Sequence, residues 1–321
     1  MSAFLSAEVL TLLILESLLL FFLTLSFGLA MAIARKFDAA ATTPLQYALE
    51  KRSYLISVII KFALSIKIVI FLYFIFTLDK LSSVITGAMC AAGVVTASEY
   101  GTYLLILKLL DIFLFGFWII LNRLDMRNET SPYTRLKFRF FLFLFPLAAA
   151  EFLLFILYLD ALDPSAIVSC CGALFSAANV SVIGEILAIP DSYTLSTFYL
   201  LFGLILLFAT LKRYAALLIS VLIFLPTAVI AIINIFSTYV YELPTHRCPF
   251  CILQKEYAYT GYLFYLFLFA GTFLLTAQSL ALLKLGENPG LRKPGMWLVV
   301  LFVLWSGYYP LAYYLKNGVF L

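Results

Sequence analysis

Eight apolar runs, each about 20 residues or longer, divide this chain and leave it few ways to fold. They fall near 8–33, 53–76, 101–121, 138–159, 194–211, 214–240, 257–283 and 295–315. A run of that length crosses the hydrocarbon layer of a bilayer as a helix. Lipid offers backbone amides no partner, so the spans must satisfy themselves as helices. Barrel strands would alternate in polarity, and these runs do not. With 64% hydrophobic and 12% charged residues, the chain carries more apolar surface than a soluble domain can hide. It reads as all-α, a polytopic membrane helix bundle of about eight transmembrane helices in a single integral membrane domain, 1–321. No basic segment precedes the first run, which is therefore expected to be a retained helix and not a cleaved signal peptide.

Loop charges set the expected orientation. Arg35, Lys36, Lys51, Arg52, Arg123, Arg127, Arg135, Lys137, Arg139, Lys212, Arg213, Lys284, Arg292 and Lys293 fall in alternate loops. The opposite loops hold Lys80, Arg247 and Lys255, with Lys316 near the C-terminus. The positive-inside rule places the first set in the cytoplasm and both termini outside. Tyr239, Tyr241, Tyr257, Tyr259 and Tyr262 then fit an outer aromatic belt, and Tyr308, Tyr309, Tyr313 and Tyr314 an interfacial anchor. The net charge of +4 comes from these loops and is no nucleic-acid signal.

In this topology all five cysteines reach the outer face. Cys90 follows the second span, Cys170 and Cys171 the fourth, Cys248 and Cys251 the sixth. The outer side of a bacterial inner membrane is oxidising, so thiols there exchange disulfides or bind metal. The segments 89–97 and 170–177 resemble each other weakly, which fits either tandem helical-hairpin repeats or convergent loop composition.

The stretch Cys248-Pro249-Phe250-Cys251-Ile252-Leu253-Gln254-Lys255 carries the strongest chemical signal. Two thiols spaced C-x-x-C cycle between dithiol and disulfide, or hold a soft metal ion. Placed at a helix N-terminus, the first thiolate is stabilised by unpaired amides and the helix dipole. Arg247 adds positive charge, and His246, the only histidine, suits proton transfer or metal ligation. The bland alternative is an inert disulfide, although so short a loop gains little from closure. The adjacent Cys170 and Cys171 have Cα atoms about 3.8 Å apart, below the usual disulfide range. They pair with each other under strain, pair elsewhere (with Cys90, for example), bind a soft cation, or pack as small buried residues.

This stretch, followed by Gly261, resembles the active-site motif of the DsbB family of quinone-dependent thiol oxidoreductases. The resemblance covers some 15 residues of 321. It implies that Cys248 and Cys251 form the redox pair and that Gln254 and Lys255 lie on the quinone side. Lys255 stands where that family has an Arg, keeping the charge without the planar fork. The order of the cysteines, loop pair first and C-x-x-C later, is similar to bacterial vitamin K epoxide reductase homologues. That likeness implies a four-helix redox core over 138–283, with 1–137 and 284–321 as additional helices, and Cys170 and Cys171 as a shuttle pair.

The expected function is thus a membrane thiol–disulfide oxidoreductase of the bacterial inner membrane. Its partners would be a soluble thioredoxin-like periplasmic protein or other thiol substrate, membrane lipid, and a quinone as electron acceptor. Two alternatives stand beside it. One is a soft heavy-metal binder or transporter for copper, zinc or mercury, using Cys90, Cys170, Cys171, His246, Cys248 and Cys251. The other is a non-catalytic membrane subunit with structural cysteines. No Walker A loop, dinucleotide glycine pattern, C-x-x-C-H haem motif or HExxH site occurs, so neither a nucleotide cofactor nor nucleic acid is expected.

Several ionisable residues fall inside spans: Glu16, Lys61, Lys67, Lys108, Asp111 and Glu151. Such groups are costly in lipid and pair with one another or line a wet path. Lys108 and Asp111 lie one helical turn apart and are expected to pair on their own helix. Glu16, Lys67, Asp111 and Glu151 fall at similar depth, as a structural ion-pair network or a proton route.

Overall fold

The computed structural model describes residues 6–38, 41–128, 130–163, 168 and 188–321. Among these, eight helices are long and apolar enough to cross a membrane. In chain order the helices are α1 (Ala7–Lys36), α2 (Pro44–Leu81), a short α3 (Ala91–Thr96), α4 (Gly101–Asp125), α5 (Thr134–Asp160), α6 (Asp191–Thr210), α7 (Tyr214–Tyr241), α8 (Thr260–Leu285) and α9 (Arg292–Asn317). No strand occurs among the described residues. The surface is inverted relative to a soluble protein. Phe21, Leu25 and Val69 are more than half exposed, while Glu16, Lys67, Lys108, Asp111 and Glu151 are buried. That is how a bundle solvated by lipid sorts its side chains.

Local signals explain the helix ends. Ser6 caps α1, its Oγ accepting from Val9 N at 3.3 Å. Thr43 caps α2 by accepting from Gln46 N, and Pro44, which has no N–H to lose, occupies the first turn. The helix therefore begins nine residues before the apolar run at 53. At 1.5 Å per residue its 38 residues span about 57 Å, well beyond the hydrocarbon layer. In α7 the regular ladder gives way to a π-helical segment, Ile232–Phe236, downstream of Pro226.

The chain groups into two compact units, Met1–Thr86 with Val94–Ala166, and Gly87–Gly93 with Ile167–Leu321. In the first, α1 packs on α2 and α5, and α4 packs on α2 and α5, which closes a four-helix ring. In the second, α6 packs on α7, α7 on α8, and α8 on α9. At the α8–α9 crossing a Cβ on Gly271 would stand 2.9 Å from a Val299 methyl and 3.0 Å from its backbone nitrogen, so only glycine permits this approach. The expected 138–283 grouping is distributed over both units, because α5 packs with α1 and α4.

Each of the four long helices of the first unit contributes one charge to a buried ring. Lys67 Nζ on α2 lies 2.8 Å from Glu16 Oε2 on α1 and 2.6 Å from Glu151 Oε2 on α5. Lys108 Nζ on α4 lies 2.8 Å from Glu16 Oε1 and also contacts Glu151 Oε1. Every carboxylate oxygen of the two glutamates thus meets an ammonium. The expected Lys108–Asp111 pair does not form. A same-helix pair is worth only a few tenths of a kcal/mol, and glutamates on two neighbouring helices outcompete it. Lys137, read as a loop charge, is instead buried and ion-paired to Asp125 at 2.7 Å. Asp125 also accepts from Tyr133 N and Thr134 Oγ1, fastening the α4–α5 turn.

Candidate functional site

The C-x-x-C stretch lies in the segment joining α7 to α8, within the second unit. Its entry and exit are shaped by left-handed backbone. Glu242 ends α7 at φ 54°, and Ala258 and Tyr259 at φ 52° and 55° precede α8. Between them Cys251–Leu253 and Lys255–Tyr257 form single 3₁₀ turns separated by extended Gln254. Cys248 is therefore not at an α-helix N-terminus as expected. The helix begins only at Thr260, because two consecutive left-handed residues cannot belong to a right-handed helix. The dipole of α8 therefore ends at Thr260 and does not stabilise a thiolate at Cys248.

Hydrogen bonds fix the loop instead. Tyr241 Oη, from the end of α7, donates to the Cys248 carbonyl. Tyr265 Oη, from α8, donates to the Pro249 carbonyl at 2.6 Å. Two consecutive carbonyls of the motif are thus held from the two flanking helices. Tyr241 is buried and its ring lies edge-on to Tyr257 at 4.6 Å and to His246 at 4.4 Å. It belongs to the loop's interior and not to an outer aromatic belt. Tyr309, expected as an interfacial anchor, shares a hydrogen bond with Thr260 at the start of α8. Desolvation, then a thiolate at Cys251 and the Glu256 carboxylate, raise the Tyr257 hydroxyl above the ordinary phenol range. It stays protonated and able to donate beside the sulfur atoms.

The third sulfur comes from far away in the chain. Cys90, just before α3, places its Sγ 3.4 Å from that of Cys248. The Sγ atoms of Cys90, Cys248 and Cys251 all lie within 4.8 Å of one another. Cys90 and Cys248 have no exposed surface, and Cys251 is 5% exposed. Gln254 Nε2 donates to the Met89 carbonyl at 3.1 Å, tying the residue beside Cys90 to the C-x-x-C loop. The Cys90 turn itself closes tightly, since a Cβ on Gly93 would meet Ala88 at 3.1 Å.

The structure thus brings together three of the expected site residues and positions a fourth, Gln254, as a cross-loop tether. Lys255 is exposed, and His246 packs on Tyr241 and is not in the three-sulfur set. Cys170 and Cys171 lie outside the described residues, as does the segment 170–177 that resembles 89–97. The sequence offers Cys90 as a disulfide partner for Cys170 or Cys171 or as a soft-metal ligand, not as a neighbour of Cys248, and nothing in it points to Tyr265. The available signal for Cys90 was its setting among Gly87, Ala88, Ala91, Ala92 and Gly93, small residues that mark a tightly packed turn.

Gly261 is the steric key to this arrangement. A Cβ there would stand 2.6 Å from Ile252 Cγ1 and 2.9 Å from the Ile252 carbonyl oxygen. Ile252 is fully buried immediately after Cys251, so α8 and the motif press against each other. Replacing Gly261 by Ala should cost about 1–3 kcal/mol of stability. It should also speed alkylation of Cys248 and Cys251 as the loop lifts. Thermal unfolding in detergent and timed alkylation check this, and wild-type behaviour in both would show that the contact is not tight.

The class defined by this architecture is a polytopic, membrane-spanning helical protein in which two connecting segments, one carrying Cys90 and the other Cys248 and Cys251, bring three buried cysteine sulfur atoms together. Comparison with protein-family models, with curated proteins and with solved structures yields no match to this chain.

Proposed function

We propose that this protein is a membrane thiol–disulfide oxidoreductase working at the outer face of a bacterial inner membrane. The observation that carries the reading is the Cys90–Cys248–Cys251 cluster, in which Cys248 touches a third sulfur at 3.4 Å. A lone structural bridge needs two sulfur atoms. A third at contact distance provides a thiolate positioned to attack a disulfide.

A thiolate of a reduced substrate attacks the Cys248–Cys251 disulfide, most accessibly at Cys251. An S–S bond forms to the substrate, and the other cysteine leaves as a thiolate. The second substrate thiol resolves this mixed disulfide, so the substrate is oxidised and Cys248 and Cys251 are left as a dithiol. Two electrons and two protons then pass to a membrane quinone, giving quinol and restoring the disulfide. Cys90 intercepts the cycle by attacking Cys248, which forms Cys90–Cys248 and releases Cys251. A thioredoxin-like soluble protein is the natural class of substrate, and Gln254 and Lys255 mark the expected quinone side.

In proteoliposomes supplied with a dithiol substrate and a quinone, wild-type protein should reduce the quinone and the Cys251→Ser variant should not. Full activity in that variant would end the proposal.

The same cluster supports a second reading. Three sulfur donors within 4.8 Å, without a carboxylate or imidazole among them, suit a soft cation such as copper(I) or mercury(II). Metal analysis of the purified protein separates the two. Near-stoichiometric metal on reduced thiols supports binding, and oxidised pairs without metal support exchange.

A further inference from the structure

The first unit holds a polar centre that the cysteine chemistry does not use. Its four-membered ring is neutral and complete. Glu16 and Glu151 supply two negative charges, Lys67 and Lys108 two positive ones, and all four glutamate oxygens contact an ammonium. The remaining faces of the ammonium groups lie over aromatic rings. Lys108 Nζ is 4.9 Å from the Phe74 centroid and 5.6 Å from Phe155, and Lys67 Nζ is 5.8 Å from Phe115.

Asp111 is a fifth ionisable group at this centre. It sits one turn beyond Lys108 on α4 and is 1% exposed. Among the described residues no donor reaches either of its carboxylate oxygens, and the Glu151 carboxylate lies within hydrogen-bonding reach of it. The charged groups around it are Glu151 on α5, Lys67 on α2 and Lys108 on its own helix. Both lysines are already engaged by the two glutamates. An ionised Asp111 would leave the centre with one uncompensated negative charge in a lipid-embedded bundle, the arrangement buried charges avoid. A proton removes that charge and turns an unpartnered acceptor into a donor facing a carboxylate.

We propose that Asp111 is a reversible proton-binding site built onto the Glu16–Lys67–Lys108–Glu151 ring. With the proton bound, the ring keeps its own pairs. When the proton leaves, the Asp111 carboxylate competes with Glu151 for Lys67 and Lys108, and the helices that carry them must share their ammonium groups differently. The site stands independently of the thiol chemistry.

Infrared spectroscopy of the full chain in an ester-free detergent tests this, because a protonated carboxylic acid has a carbonyl stretch that carboxylates and amides lack. The wild type should show this band at neutral pH, shifted in deuterated buffer and lost as the pH is raised. Asp111→Asn should abolish the band, while Glu8→Gln, at a half-buried acid in the first turn of α1 and outside the ring, should leave it intact. Asp111→Glu keeps an acid at the position and should retain the band at a shifted frequency, which guards against misfolding of the amide variant. Absence of the band in the wild type, or its persistence in Asp111→Asn, overturns the proposal. So does a sodium-dependent rise in thermal stability that Asp111→Asn abolishes, since the ligand would then be a metal cation.

Discussion

Replacing Lys108 by Met destabilises the protein by about 3–5 kcal/mol, the usual consequence of deleting one partner from a buried ionic network. Lys108 contacts Glu16 Oε1 and Glu151 Oε1, so its loss strands an oxygen on each of two helices. Lys67 cannot cover both, because it already contacts the other oxygen of each glutamate. For a chain of 321 residues the melting temperature should fall by about 4–7 °C. The double variant Lys108→Met/Glu151→Gln removes one charge of each sign and leaves the Lys67–Glu16 pair. It should recover a substantial part of the loss, which would identify the deficit as uncompensated charge and not as missing volume. Thermal unfolding in detergent decides the matter. A Lys108→Met protein as stable as the wild type would mean that the ring does not hold the four helices together.

Under the proposed exchange cycle, replacing Cys248 by Ser should lower dithiol-dependent quinone reduction to the level of protein-free liposomes. Cys248 is the one sulfur that belongs to the C-x-x-C pair and also touches Cys90 at 3.4 Å. Without it neither the Cys248–Cys251 disulfide nor the Cys90 relay can form. Cys90→Ser, by contrast, leaves the C-x-x-C pair intact and should retain a slower cycle. Equal, complete loss in both variants would place Cys90 inside the obligatory electron path. Unchanged turnover in Cys248→Ser would remove the C-x-x-C motif from the chemistry altogether.

The membrane architecture was legible in the sequence because hydropathy over 20 residues is a local property that lipid enforces without help from tertiary contacts. Even so, α2 starts at Pro44 and not at the onset of apolarity. Its first turn is polar, and the Thr43–Pro44–Gln46 cap was the clue to read. Depth along the helices likewise brought Glu16, Lys67, Asp111 and Glu151 to one level. It could not say which face each residue occupied, so Lys108 was assigned to Asp111 on its own helix when its partners lie on two others. The loop fared similarly. C-P-F-C advertised itself by spacing, but the left-handed residues Ala258 and Tyr259 carry no glycine to announce them, and the late helix start went unforeseen. The contact between Cys90 and Cys248 joins residues 158 positions apart and depends on how the second unit packs, which no local pattern encodes.

The contact between Cys90 and Cys248 can be trapped as a covalent bond. In a Cys170→Ser/Cys171→Ser/Cys251→Ser variant only these two of the five cysteines remain. Mild oxidation of that protein in membranes, followed by alkylation and peptide mass spectrometry, should yield a peptide cross-linked between Cys90 and Cys248 in high proportion. Recovery of both cysteines as separate alkylated peptides, under conditions that oxidise a control dithiol, would contradict the three-sulfur site and the exchange reaction built on it.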